Sequence, residues 1–415
     1  MAIPPRNANS VTEGERGRSG VFTRIQLGPV VNSQGGGTFL VLGATLALVG
    51  VGLVMVLSSS SINSYLDNQG FFGGFWKQLT FAAVGVPLMM LASKAPLVFW
   101  KKWAWLALAS GLVLQLLVFS PLGIETYGNR NWISIGGLSG QPSEFLKLAL
   151  ILWMGAVLYR RRSRIQETWG ALNPVIWVAA VAMGLVVAGR DLGTAMIFAL
   201  ITMAALYFAG AKWRTMLMPV LVMAAGVLLL VVTSPNRMSR ILTNCGSGEA
   251  ADYSGLCWQP LHGLWALAGG GVFGVGLGNS RAKWSWLPAA DNDYIFAIIG
   301  EETGMIGAII VLLLFVALAF GILHVMRNAR DLFGVIVSGT IFVWIIGQAL
   351  INIGVVIGIL PVLGVPLPLI SSGGTALISN LLAIGVVLSI ARDSDLAKTQ
   401  TPSTPVSHKS KQGSR

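Results

Sequence analysis

The chain has 415 residues, of which 54% are hydrophobic and 11% charged, with a formal net charge of +12. Soluble domains carry about 25% charged residues, so this composition excludes an ordinary soluble enzyme. The basic excess lies in short loops between long apolar runs, a pattern that orients membrane proteins and excludes nucleic acid as the partner.

Residues 1–37 are rich in Gly, Ser, Asn and Arg, too polar to build a core, and are expected to be disordered. They contain no apolar stretch with a cleavage site, so no cleavable signal peptide is expected. Ten apolar segments follow, near 39–58, 77–93, 103–120, 144–160, 173–189, 192–210, 214–233, 294–323, 333–357 and 374–391. Each approaches the length that crosses a hydrocarbon core roughly 30 Å thick. The expected fold is all-α, a polytopic bundle of about ten transmembrane helices over 38–392, with a polar basic tail at 393–415 that hangs free. With the N-terminus inside, 20 of the 28 Lys and Arg residues fall on the cytoplasmic side. Both termini are therefore expected in the cytoplasm.

The segment 259–278 is apolar enough to mimic an eleventh span. Crossing there would move Arg327, Arg330 and the basic tail outside, and its triple glycine at 269–271 suits a helix interior poorly. It is expected to be interfacial or re-entrant, so that 234–293 forms one large outer loop between the seventh and eighth spans. Cys245 and Cys257, the only cysteines, both fall in that loop. On an oxidising outer face they suit a disulfide, with two free thiols as the alternative.

Four polar clusters lie on the outer side or in the outer half of the bundle. The first, 128–150, runs from a loop into the fourth span and carries Arg130, Glu144 and Lys147. Glu144 and Lys147 share a helix face, either as a self-neutralising pair or as a charged cavity wall. The second is Arg190–Asp191, in a tight turn between spans five and six, read equally well as a surface ion pair or part of a site. The third, 276–304, packs Arg281, Lys283, Asp291, Asp293, Glu301 and Glu302 around the entrance to the eighth span. An acidic residue there is a functional candidate, because burying it unpaired is costly. The fourth, 366–380, opens the last span with Ser371, Ser372 and Gly373–Gly374, whose exposed N–H groups could meet an anion. Gln348 and Asn352 sit four apart in the ninth span, as interhelical hydrogen bonds more readily than as ligands. Three scattered histidines and the lack of a Walker A loop or HExxH leave ATP hydrolysis and proteolysis unsupported. What remains is a carboxylate-and-cation site suited to an anionic amphiphile such as a lipid-linked diphosphate, transported or reacted.

At these residues the chain resembles the SEDS family of membrane-embedded peptidoglycan polymerases, over roughly 39–392. QPSE followed by Lys147, DLGT at 191–194, GLGNS at 276–280 and K-W-x-x-L-P at 283–288 match family signatures. So do DYIFAIIGEE at 293–302, QALIN at 348–352 and L-P-L-I-S-x-G-G at 367–374. The wording at 293–302, 276–280 and the S-S-G-G ending is closer to the cell-division branch than to the elongation branch. Two positions depart: Arg190 stands where most members have Pro, and Asn131 where many have Arg directly before Trp.

The resemblance implies a glycosyltransferase of the bacterial cytoplasmic membrane, its active site facing outward, that polymerises lipid II into β-1,4 glycan with inversion. It implies Asp293 as the essential acidic residue, either general base or ligand of a divalent cation such as Mg or Mn. Lys283 and Arg281, with Lys147, Glu144 and Arg130 behind them, are the expected binders of undecaprenyl diphosphate, together with Ser371, Ser372 and Gly373. Asp191, Gln348, Asn352 and Glu301 are expected to support them. The implied partners are a class B penicillin-binding protein of the FtsI transpeptidase type and other divisome proteins. The alternatives are a lipid II flippase, an elongation-type polymerase and a recruiting scaffold.

Overall fold

The computed structural model describes residues 35–400 apart from 67, 69, 127–128, 137, 166–172, 215, 218–220, 222–254, 256 and 285. The expected disordered N-terminus, most of the seventh span and Cys245 lie outside the described residues. Ten helices are described: α1 (Gly36–Leu66), α2 (Gly73–Lys94), α3 (Leu97–Leu117), α4 (Pro142–Arg160), α5 (Asn173–Ala188), α6 (Leu192–Phe208), α7 (Trp258–Gly270), α8 (Ile295–Asn328), α9 (Leu332–Val356) and α10 (Gly374–Gln400). Seven of them are long and apolar enough to cross a membrane, and α5 and α6 are shorter apolar helices. Seven of the ten expected spans thereby appear as helices of spanning length, two more as the shorter α5 and α6 of 16 and 17 residues, and the bundle is all-α.

Helix α4 is the axis of the molecule. Sixteen of its 19 residues are buried, and α3, α5, α6, α9 and α10 pack around it. Facing hydrocarbon rather than water, the outer helices keep large apolar side chains on their surfaces, among them Leu106, Leu313 and Trp177. Helix α10 runs on to Gln400, so the tail expected from 393 begins as helix, and Ser394 in that stretch is buried.

The loop before α4, expected to be irregular, forms a small antiparallel sheet of order β1-β2-β3 from β1 (Gly123–Thr126), β2 (Asn129–Ile135) and β3 (Leu138–Gly140). Its register pairs Ile124 with Trp132 and Ser134 with Ser139, with an irregularity at Ile124/Glu125. β1 and β3 are only four and three residues long, and β2 reads NRNWISI, with Trp132 and Ile133 adjacent, so no clean two-residue alternation shows in the sequence.

Helix α7 has 13 residues, about 20 Å at 1.5 Å per residue, too short for a 30 Å core. It packs on α8 and ends at Gly271, whose φ is +53°. The triple glycine thus ends a short helix rather than interrupting a span. The irregular segment 271–276 then laces into a break in α8. At Gly304, φ is +69° and ψ −168°, a conformation open to glycine, and a Cβ there would lie 2.4 Å from Gly274 N and from Val272 O. The N–H groups of Met305 and Ile306 donate to Gly271 O (2.9 Å) and Val272 O (3.3 Å), while those of Val275 and Gly276 donate to Glu301 O (2.9 Å) and Glu302 O (3.1 Å). The break is satisfied by protein, the condition under which non-helical backbone is tolerated at membrane depth.

Candidate functional site

A cavity of about 540 Å³ opens between β2, the α5–α6 turn, the segment before α8 and the loop from α9 to α10. Asp293, Asp191, Ser371, Ser372 and Gly373, all singled out in the sequence, line it, with Asn129, Asn131, Gln141, Arg190, Thr194, Thr375 and Asn380.

Asp191 is a fixed wall. It caps α6 by accepting from Thr194 N at 2.9 Å through Oδ1, the usual role of Asp at a helix start. Its Oδ2 accepts from Asn131 Nδ2 (2.7 Å), Thr194 Oγ1 (2.9 Å) and Gln141 Nε2 (3.0 Å). Four donors from three elements meet this one carboxylate. The sequence shows Asn131 only as a departure from a family pattern and Gln141 only within QPSE; their role as donors to Asp191 is hidden because that partner is 60 and 50 residues away.

Asp293 is the opposite case. It sits just before α8, and its Oδ1 is buried without a hydrogen-bond partner. Burial, then the charges of Asp191 and Asp291, push its carboxyl up to about 7. Asp291 is also raised by burial, opposed by a hydrogen bond from Ser372. It does not cap α8, whose N-cap, Tyr294, makes no side-chain capping bond. The backbone around Asp293 is pinned: Asn352 Nδ2 donates to Asp293 O and Val365 O, both at 2.7 Å, and Ser371 Oγ to Asn292 O at 2.7 Å. Ser372 N donates to Asp291 O at 2.9 Å, and Gln348 Nε2 to Pro366 O at 2.9 Å. Gln348 thus links α9 to α4 through Lys147 and to the loop at Pro366, while Asn352 ties α9 to the backbone at Asp293 and Val365 rather than to another helix. A rigid frame surrounds a carboxyl with an unused oxygen.

The expected cations stand elsewhere. Lys283 is buried, bonding Gly278 O at 2.6 Å, Ser58 Oγ at 3.2 Å and Glu302 Oε1 at 3.3 Å. Glu302 also accepts from Ser58 Oγ at 2.6 Å. Glu301 accepts from Ser280 Oγ and from Arg281 N at 2.9 Å. These bonds clamp the 278–283 loop onto α8, with the Arg281 side chain exposed outside the cavity lining. Lys147 bonds Glu144 at 2.9 Å and Gln348 Oε1 at 3.3 Å, all three residues buried. The self-neutralising pair is therefore the geometry found, and neither residue lines the cavity. Arg130 turns away from the cavity that Asn129, Asn131 and Trp132 of the same strand line, and its Nη2 donates to Ser120 O at 2.9 Å.

Cys257 is buried and disulfide-bonded, and its sequence partner Cys245 lies outside the described residues. Among the described residues no three His, Cys, Asp or Glu side chains converge as a metal cluster. A divalent ion at Asp293 would need oxygens from water or substrate to complete its shell.

The family model described as cell cycle protein, FtsW/RodA/SpoVE, matches residues 39–396. The probable peptidoglycan glycosyltransferase FtsW of Coxiella burnetii is 37% identical over 359 residues, 85% of this chain and 95% of that protein. The stage V sporulation protein E of Bacillus subtilis is 35% identical over 351 residues, 84% of this chain and 95% of that protein. Among solved structures, a chain of a peptidoglycan synthase complex has a similar fold, with a TM-score of 0.70 at 23% identity, covering 85% of this chain and 97% of that one. The match over nearly all the described bundle is decisive: the chain is a multi-pass membrane protein of the FtsW/RodA/SpoVE family.

Proposed function

We propose that the cavity is where this peptidoglycan glycosyltransferase polymerises lipid II, with Asp293 as general base. The single observation that carries the assignment is the buried Oδ1 of Asp293, the one carboxylate oxygen among the unpartnered buried side-chain atoms of the described cavity lining. The GlcNAc C4 hydroxyl of one lipid II attacks the anomeric carbon of the chain's terminal MurNAc. The new C–O bond forms as the bond to undecaprenyl diphosphate breaks, the hydroxyl proton passes to Asp293, and the α-linked donor becomes a β-1,4 product. A base contributes about 10²- to 10⁴-fold, and a carboxyl held near 7 is matched to that work at neutral pH.

A second reading makes Asp293 the ligand of a divalent cation, Mg or Mn, shared with the diphosphate, and the same unpartnered oxygen favours it. Polymerisation that persists after chelation supports the base; loss that Mg or Mn restores supports the ion. Septal synthesis alongside a class B penicillin-binding protein and other divisome proteins is the cellular setting we propose. Depletion of the chain in its host should give filaments; rounded cells would indicate the elongation role. Both termini and the cavity are assigned to the cytoplasmic and outer sides respectively by the Lys and Arg distribution.

The test is polymerisation of labelled lipid II by the purified protein with its transpeptidase partner chemically blocked, for wild type and Asp293→Asn. Polymer from wild type alone is expected. Equal polymer from both removes Asp293 from the mechanism. No polymer from either, with lipid II still crossing liposome bilayers, indicates a flippase.

A further inference from the structure

The proposed reaction expels a diphosphate, and the cations expected to receive it stand outside the cavity. None of Lys283, Lys147, Arg130 and Arg281 lines it. Among the described residues that line the cavity, Arg190 is the sole Lys or Arg, and it is exposed.

Its place in the chain is unusual. Arg190 N donates to Val187 O at 2.8 Å and Asp191 N to Val186 O at 3.3 Å, the paired bonds of a Schellman cap closing α5. Arg190 is the left-handed residue of that cap, with φ +65°. Glycine is the usual residue there, because a Cβ is disfavoured in that conformation. The turn alone would be served better by glycine, so a demand other than backbone geometry accounts for the guanidinium. The next residue, Asp191, is held by four hydrogen bonds from Thr194, Asn131 and Gln141, which sets the turn firmly against the cavity. Arginine offers a planar fork that matches phosphate oxygens in pairs, where lysine offers a point charge.

We propose that Arg190 holds the diphosphate of the lipid-linked donor and leaving group in this cavity, a proposal that rests on the lipid II reading above. Arg190 is a substrate-positioning residue, and the α5–α6 turn is the diphosphate subsite.

The test measures binding of undecaprenyl diphosphate to the full chain in lipid nanodiscs, beside undecaprenyl phosphate and inorganic pyrophosphate, for wild type, Arg190→Gly and Arg190→Lys. Arg190→Gly keeps, and relaxes, the left-handed turn, so it should fold at least as well by thermal stability. It should nevertheless bind the lipid diphosphate roughly tenfold or more weakly, the scale of a lost charged hydrogen bond. Arg190→Lys should lose less, and the monophosphate should respond less than the diphosphate. Inorganic pyrophosphate that shows the same sensitivity to Arg190→Gly locates recognition in the headgroup; a response confined to the lipid-linked form adds the lipid to what the subsite reads. In polymerisation, Arg190→Gly should raise KM for lipid II more than it lowers kcat, the reverse of Asp293→Asn. Wild-type diphosphate affinity in Arg190→Gly overturns the proposal, as does failure of wild type to bind undecaprenyl diphosphate. Because binding is read without turnover, loss of affinity in Arg190→Gly beside an Asp293→Asn that still polymerises would sink the base and leave the subsite standing.

Discussion

Two groups of charges lie within the same few turns of chain and have opposite fates. Lys283 and Glu302 are buried as an ion pair, and with Glu301 they bond Ser58, Ser280 and the 278–282 backbone, leaving Glu302 Oε2 unbonded on a carboxylate whose charge is paired. Asp293, eight residues before Glu301, keeps a buried oxygen with no partner and makes none of the salt bridges found among the described residues, while the backbone beside it is tied down. The difference teaches that in an apolar bundle the signature of chemistry is a charge left unneutralised, rather than a concentration of charge. The richest cluster in the sequence turns out to be mostly fastening.

The comparison predicts opposite consequences for substitution. Asp293→Asn should cut polymerisation by about 10²- to 10⁴-fold with no loss of thermal stability. Lys283→Met should do the reverse: it strands Glu302 in the interior, at a cost of about 3–5 kcal/mol for breaking a buried pair, and activity per folded molecule should survive. Lys283→Met combined with Glu302→Gln should recover much of that stability in a thermal melt. A double variant no better than the single would break the distinction between fastening and chemistry.

Acidity sharpens the same contrast. The base must be ionised to act, so polymerisation should rise with pH through about 7 and level above it. The stability sign runs the other way. The folded chain keeps a proton on Asp293 that the unfolded chain releases above the ordinary value of 3.8. That group therefore makes the fold less stable as pH rises from about 4 to 7. Asp293→Asn removes this penalty, so its gain in Tm over wild type should be larger at pH 8 than at pH 5. A gain independent of pH would mean that Asp293 is not held protonated. The smallest effect is expected at Lys101, whose bridge to Asp331 is 22% exposed on both sides. Lys101→Met should cost less than about 1 kcal/mol, since Asp331 keeps its cap on α9 through Gly334 N at 2.9 Å.

Much of the bundle could be read from the sequence because span length and apolarity are local properties. The refusal of 259–278 to count as a span was legible too, through its triple glycine and the charge that crossing would misplace. Asp293, Asp191 and the serines at 371–372 were visible as polar residues at span entrances. The fate of the cations was not. Lys283 meets Glu302 across 19 residues only because the loop folds back on α8, and Arg130 is lost to the cavity because its guanidinium reaches back to Ser120 O. Asn131 and Arg190 were noticed as departures from a family pattern, yet their place in the cavity depends on tertiary proximity. No spacing rule encodes that Asn131 reaches Asp191 across 60 residues.

The strap at 271–276 also bears on how the protein is made. An α8 broken at Gly304 would enter hydrocarbon with unmet peptide groups, each costing several kcal/mol. Synthesis proceeds from the N-terminus, so the strap is already translated when residues 301–306 emerge, and the gap can close as it forms. Gene order here is part of the assembly plan: a permuted chain that began at α8 would have to hold the break open until its partner arrived.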